Sequence, residues 1–277
     1  MSRIQNILNK AERDGTVRRV HTSGDAVGGA GLATMDGAAT APSPLSDHDI
    51  AMSGMPAGPA PMPSRLITTT PIDPRLVVAL SAESAAAEQY RALRTRIVHA
   101  DTGGPVSLLL VTSPGRGEGK TLTAANLALT MAQEYQQRIC VVDADLRNPQ
   151  IHRLFGLPAA PGLADVLAGR VSLDEALVTV ADHHITVLPA GNAAHPAELL
   201  GTVTMRRMLD TLRSQFDRIV IDAPSAVPLA DVGILTPLVD SVLLVVRAGV
   251  TSKPAIQDAI NSIDQAKLLG VVLNEAA

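Results

Sequence analysis

Aromatic residues are almost missing from this chain of 277 residues, which has two tyrosines, two phenylalanines and no tryptophan. A nucleic-acid platform that stacks bases needs several clustered rings, so that class is set aside. A formal charge of −4 likewise offers no broad electrostatic grip on a phosphate backbone. Cysteine is represented by Cys140 alone, which excludes an internal disulfide and a cysteine metal cage. The seven histidines bring no metal-ligand spacing, since His183 and His184 are adjacent and point to different sides. No apolar run reaches the roughly 18 residues that a membrane-spanning helix needs. The opening MSRIQNILNKAERDG carries charge throughout and has no apolar core of a secretory signal. These absences suggest a reduced, cytoplasmic protein that something else would have to hold at a membrane.

What is present is aliphatic. Hydrophobic residues make up 46% of the chain, and with so few rings the core must be built from Leu, Val, Ile and Ala. Parallel sheets covered by helices have that composition. Residues 1–14 fit a short helix with Ile4, Ile7, Leu8 and Ala11 on one face, packed on its own domain or docked on a partner. Residues 15–70, rich in Ala, Gly and Pro, bury too little apolar surface to offset their ordering entropy and read as a disordered linker.

From residue 71 to 277 the pattern is regular. A helix ending near Ala100 precedes a strand at Val106–Thr112, a helix at Lys120–Gln136 and a strand at Arg138–Asp143. Short helical stretches are expected at Leu163–Leu167 and Ser172–Val178, then a strand at Ile185–Pro189 and a helix at Val203–Phe216. Strand Arg218–Asp222, helix Leu229–Leu235, strand Ser241–Arg247, helix Pro254–Ala266 and strand Leu269–Leu273 complete the series. The alternation predicts an α/β fold: a doubly wound, mostly parallel sheet with helices on both faces.

Three motifs carry chemistry. SPGRGEGKT, Ser113 to Thr121, lies between a predicted strand and a predicted helix, the setting of a phosphate-binding loop. Gly115, Gly117 and Gly119 let backbone amides converge on phosphate oxygens, and the helix start adds unpaired N–H groups. Arg116, Glu118 and Leu122 complete the stretch expected to wrap the nucleotide. Lys120 would reach the β- and γ-phosphates and Thr121 would place its hydroxyl on Mg²⁺. Pro114 stands where the usual pattern has its first glycine. In CVVDADLRNP, Asp143 and Asp145 end a strand at the carboxyl edge, where ligands bind in such sheets. Paired carboxylates there would hold Mg²⁺ or take a proton from an attacking hydroxyl. In RIVIDAP, Asp222 ends a third strand, the usual place of an acid that orients Mg²⁺.

In this order the motifs resemble the Walker A, Walker A′ and Walker B sequences of the bacterial tyrosine kinases, P-loop proteins of the MinD/ParA-like superfamily that serve capsule and exopolysaccharide biosynthesis. EQYRALRTRI, HRLFGLPAAPGLADVLAG, VLPAGNAAHPAELL and VDSVLLVVRAGVTSK extend the resemblance. It implies ATP and Mg²⁺ as cofactors, Lys120, Asp143, Asp145 and Asp222 as catalytic residues, and Thr121, Asp143 and Asp222 as metal contacts. Asn274 would contact adenine, or merely cap its strand. Arg147 would contact phosphate or pair with a nearby acid. Glu88, Arg91 and Arg94 match a helix that joins subunits into a ring, although Glu88 and Arg91 could simply pair within the helix. The implied partners are a membrane-embedded polysaccharide co-polymerase that activates the kinase, and a protein substrate with an acceptor tyrosine. The chain departs from the family in having no tyrosine after Tyr135, so phosphorylation of a tyrosine-rich tail is not expected of it. A MinD/ParA-like positioning ATPase, which usually has an additional lysine early in the loop, and a nucleotide-binding scaffold without turnover are the alternatives.

Overall fold

Segments such as LLLVT, ICVVD and RIVID are apolar through their middle on both faces, and each is stable only when covered on both sides. The computed structural model describes residues 65–68, 71–100, 104–133, 137–228 and 230–275. Among them, one sheet contains β1 (Arg65–Ile67), β2 (Leu108–Thr112), β3 (Ile139–Asp143), β4 (Val178–Val180), β5 (Ile185–Leu188), β6 (Arg218–Asp222), β7 (Ser241–Arg247) and β8 (Leu268–Asn274). The order across the sheet is β1-β4-β5-β3-β6-β2-β7-β8. Every neighbouring pair is parallel except β4 with β5.

The helices are α1 (Val77–Leu80), α2 (Ala85–Val98), α3 (Lys120–Ala132), α4 (Ile151–Leu154), α5 (Leu163–Leu167), α6 (Leu173–Ala176), α7 (Pro196–Leu200), α8 (Val203–Gln215), α9 (Asp231–Leu235) and α10 (Lys253–Asn261). Alternation along the strands divides the core between two faces. Leu109, Val111, Val141, Val220 and Val245 join one cluster with Ala124, Leu127, Ala128 and Met131 of α3 and with Phe155. The alanines of α3 let its backbone lie close to the sheet. On α8, Met205, Met208, Leu209 and Leu212 are buried at helical spacing, giving it one apolar stripe. Asn126 is a buried polar group inside the first cluster, and it is fully used. Its Oδ1 accepts from Val78 N–H and its Nδ2 donates to the carbonyls of Arg75 and Leu122, tying the entry segment to α3.

The differences from expectation have local causes. The expected N-terminal helix over 1–14 lies outside the described residues, as does most of the expected linker over 15–70. Within that linker span, however, Arg65–Ile67 forms β1 and pairs in parallel with β4. Residues 172–178, read as one helical stretch, divide into the four-residue α6 and the start of β4. Ser172 and Glu175 form a capping box that starts α6. The β-branched Val178-Thr179-Val180 then turns back against β5, with the Thr179 and Thr186 hydroxyls 3.1 Å apart. Helix α10 stops at Asn261 rather than Ala266, because Asp264 builds a turn by accepting from Ala266 N–H and Lys267 N–H.

Candidate active site

Strands β3, β6 and β2 are neighbours in the sheet, so their carboxyl ends deliver the Walker A′ acids, the Walker B acid and the phosphate loop to one place. The loop leaves β2 at Thr112, whose hydroxyl donates to the Pro224 carbonyl at 2.6 Å and so joins it to the segment after β6. It closes on Gly119, with φ +91°, a left-handed conformation that favours glycine. A side chain there would also collide with the Asn274 amide. Lys120 is the first residue of α3, so the helix N-terminus opens directly onto the loop.

Lys120 Nζ lies 2.7 Å from Asp145 Oδ2, 3.7 Å from Asp222 Oδ1 and 3.2 Å from the Thr121 hydroxyl. Burial works to lower the pKa of the ammonium, but Asp222 and Asp145 together outweigh it and the net shift is upward, so the lysine stays charged. Asp143 is sealed from solvent and engaged by backbone: Oδ1 accepts from Asp145 N–H and Oδ2 from Gln150 and Ile151 N–H. Burial, and then the neighbouring Asp222, push its pKa well above the usual carboxylate range. Asp145 bonds Lys120 through Oδ2 and accepts from Asn148 N–H through Oδ1. Asp222 is the exception among the three. Both its oxygens are buried and neither accepts a well-formed hydrogen bond among the described residues. Burial pushes its pKa up to about 6, with Lys120 and Thr121 pulling the other way.

Three acids share one ammonium, and a buried carboxyl whose oxygens accept no well-formed hydrogen bond is costly. Both features fit a divalent cation beside Asp222 and Thr121. The described residues contain no ready-made cluster of three metal-binding side chains.

The other expected site residues have distinct places. Arg116 and Gly117 are exposed on the loop, whereas Leu122 is half-buried and packs against the core. Glu118 turns inward, its Oε1 accepting from Gly115 N–H at 2.9 Å, and burial raises its pKa. Asn274 donates from Nδ2 to the Glu118 carbonyl at 3.0 Å, so its amide braces the phosphate loop. Arg147 pairs with an acid: its Nε and Nη2 bond Asp231 at 2.6 and 3.1 Å. Glu88 and Arg91 form an ion pair of 2.7 Å within α2, and Arg94 donates to the Thr130 carbonyl of α3. Asp231 was not singled out in the sequence; its only signal is an acid in the first turn of a helix that follows the Walker B strand.

A family described as "AAA domain" matches residues 111–274. The tyrosine-protein kinase YwqD of Bacillus subtilis is 34% identical over 204 residues, which are 72% of this chain and 86% of that protein. The chain belongs to the bacterial tyrosine-protein kinase family. A second member of this similarity group, the succinoglycan biosynthesis transport protein ExoP of Rhizobium meliloti, is 29% identical over 72% of this chain. The chain spans only 26% of ExoP. The solved kinase domain of Escherichia coli tyrosine kinase ETK superposes with a TM-score of 0.69 at 27% identity, covering 75% of this chain and 82% of that one. The Pyrococcus furiosus cell division ATPase MinD shares the fold, with a TM-score of 0.51 at 24% identity over 60% of this chain and 71% of its own. The family's shared core is thus the part of this chain that contains the phosphate loop and all three acids.

Proposed function

We propose that this protein is an ATP- and Mg²⁺-dependent protein-tyrosine kinase that regulates polysaccharide chain length and export. The observation that carries the reading is the charge cluster of Lys120, Asp143, Asp145 and Asp222 at one sheet edge, in a chain similar to named tyrosine kinases. Phosphoryl transfer demands positioning and charge neutralisation more than covalent chemistry. The loop amides and Lys120 would bind the β- and γ-phosphates, while Thr121 and Asp222 would hold Mg²⁺, which would supply positive charge against that developing on the phosphates.

Asp143 is committed to three backbone N–H groups and serves as the scaffold of the Walker A′ turn. Asp145 is the general base. Its Oδ2 now bonds Lys120 and is released when the lysine turns to phosphate. The tyrosine oxygen attacks the γ-phosphorus, the bond to the β,γ-bridging oxygen breaks and ADP leaves. The hydroxyl proton passes to Asp145.

The expected partners are a membrane-embedded polysaccharide co-polymerase as activator and further copies of the chain in a ring joined through α2, where the Glu88 side chain is 68% exposed. Such a partner would place the protein at the inner face of the membrane. No helix among the described residues is long and apolar enough to cross it.

The test is incubation with Mg·ATP and the activator's cytoplasmic segment, followed by mapping of phosphotyrosine by mass spectrometry on both chains and on the tyrosine copolymer poly(Glu,Tyr). Phosphotyrosine that disappears in Lys120→Met is the expected result. Release of free phosphate with every tyrosine unmodified would contradict the kinase reading and favour an ATPase of the positioning type.

A further inference from the structure

The sheet order arranges the carboxyl ends as β5, β3, β6, β2, β7 and β8. Asn274, at the end of β8, and the phosphate loop after β2 occupy one side of the catalytic acids. On the other side, above β3 and β5, a cleft of about 720 Å³ opens, within the size range of ligand sites. Its walls are Leu146 and Pro149, which follow Asp145 in the same loop, and Asn192, Ala193 and Ala194 after β5, with Arg170 between them.

The cleft is pre-formed by a fixed set of contacts. Asp165 Oδ2 accepts from Gly162 N–H at 2.9 Å at the start of α5. Asp165 Oδ1 accepts from Arg170 Nε and Nη2 at 3.0 and 2.8 Å, and Nη2 also donates to the Asn192 carbonyl at 3.1 Å. Arg170 therefore ties the 191–194 wall to α5. Gly191 has φ +71°, and a side chain there would collide with Asp165 Oδ2, so the wall can approach this closely only through glycine. The Nη1 group of Arg170 makes no hydrogen bond among the described residues, and its side chain is 51% exposed.

Resting on the kinase reading, we propose that this cleft is the acceptor site and that its occupant is a tyrosine-bearing, acidic segment of another polypeptide. In-line transfer needs the acceptor on the far side of the γ-phosphate from the leaving ADP, and the sheet order puts the cleft across the acids from the phosphate loop. Leu146, Pro149, Ala193 and Ala194 offer apolar surface to a tyrosine ring, and continuity through Leu146 to Asp145 brings the hydroxyl to the base. The free edge of Arg170 suits a neighbouring carboxylate. Tyr90, the one tyrosine among the described residues, packs against the core from α2 and is not presented to the cleft.

The experiment uses the full chain, the activator's cytoplasmic segment, Mg·ATP and poly(Glu,Tyr), with phosphotyrosine formation and ATP hydrolysis measured side by side. Ala194 is exposed, so Ala194→Trp fills the cleft without disturbing the core. It should raise KM for the copolymer about ten-fold, the scale of pocket misfit, with ATP hydrolysis and the KM for ATP unchanged. Arg170→Gln should raise the copolymer KM in the same selective way. Copolymer phosphorylation that Ala194→Trp leaves intact would overturn the cleft assignment alone, as would a parallel loss of ATP hydrolysis. ATP hydrolysis without copolymer phosphorylation by the unchanged chain would overturn the kinase reading, and the acceptor site with it.

Discussion

Asp231 and Asp222 are both fully buried, yet Arg147 holds Asp231 with two hydrogen bonds while neither Asp222 oxygen accepts a well-formed one. The first arrangement is complete. A delocalised guanidinium meets a carboxylate edge-on, which is how a buried acid is stabilised within the chain itself. It also anchors the Walker A′ loop, since Arg147 stands two residues after Asp145, to the first turn of α9. The second arrangement is open. Lys120 at 3.7 Å is shared with Asp145, and neither Asp222 oxygen is otherwise engaged by a well-formed hydrogen bond among the described residues. A buried acid with its partner supplied holds the fold together; one whose oxygens accept no well-formed hydrogen bond keeps a side open for a ligand, the role we propose for Asp222.

The largest expected effect comes from breaking the complete pair. Arg147→Ala removes both hydrogen bonds to the buried Asp231 carboxylate, and loss of about 3 kcal/mol is expected on chemical denaturation. The double variant with Asp231→Asn should recover much of that loss; a single variant as stable as the parent would mean that the pair is dispensable.

The open acid should respond in the opposite direction. Folded Asp222 keeps its proton up to about pH 6, whereas an unfolded aspartate releases it near pH 4. The folded chain binds the extra proton between those values, so this group's contribution to stability, without Mg²⁺, falls as pH rises from about 4 to about 6 and then levels. Asp222→Asn removes that penalty, and without Mg²⁺ it should melt higher than the parent at pH 8, by about 1–3 kcal/mol in stability. Equal melting at pH 8 would show that Asp222 is already satisfied.

The smallest effect tests the brace on the phosphate loop. Asn274→Ala removes one hydrogen bond to the Glu118 carbonyl, worth about 1 kcal/mol, and should raise the KM for ATP several-fold with kcat little changed. A loss confined to kcat would place Asn274 elsewhere in the mechanism.

The catalytic cluster was legible because its signals are local: a glycine-rich loop between a strand and a helix, and acids at two strand ends. Long, strongly apolar strands such as β2, β3, β6 and β7 were legible for the same reason, as periodicity and flanking turns agree along one segment. What escaped depends on approach across the fold. Nothing near Asp231 in sequence announces Arg147, 84 residues away. Asn274 reaches Glu118 over 156 residues. Strands β1 and β4 are three residues long, too short for a periodic pattern, and are held by their neighbours, β4 along the edge of β5 and β1 along β4. The acceptor cleft likewise arises from contacts between α5, Arg170 and the 191–194 loop.

The most direct measurement is calorimetric binding of ATP with and without Mg²⁺ to the parent and to Asp222→Asn. If Asp222 is left open for a cation, the parent should bind ATP about ten-fold or more tightly with Mg²⁺ than in chelator, and Asp222→Asn should lose that difference while still binding free ATP. Undiminished Mg²⁺ dependence in Asp222→Asn would contradict the account.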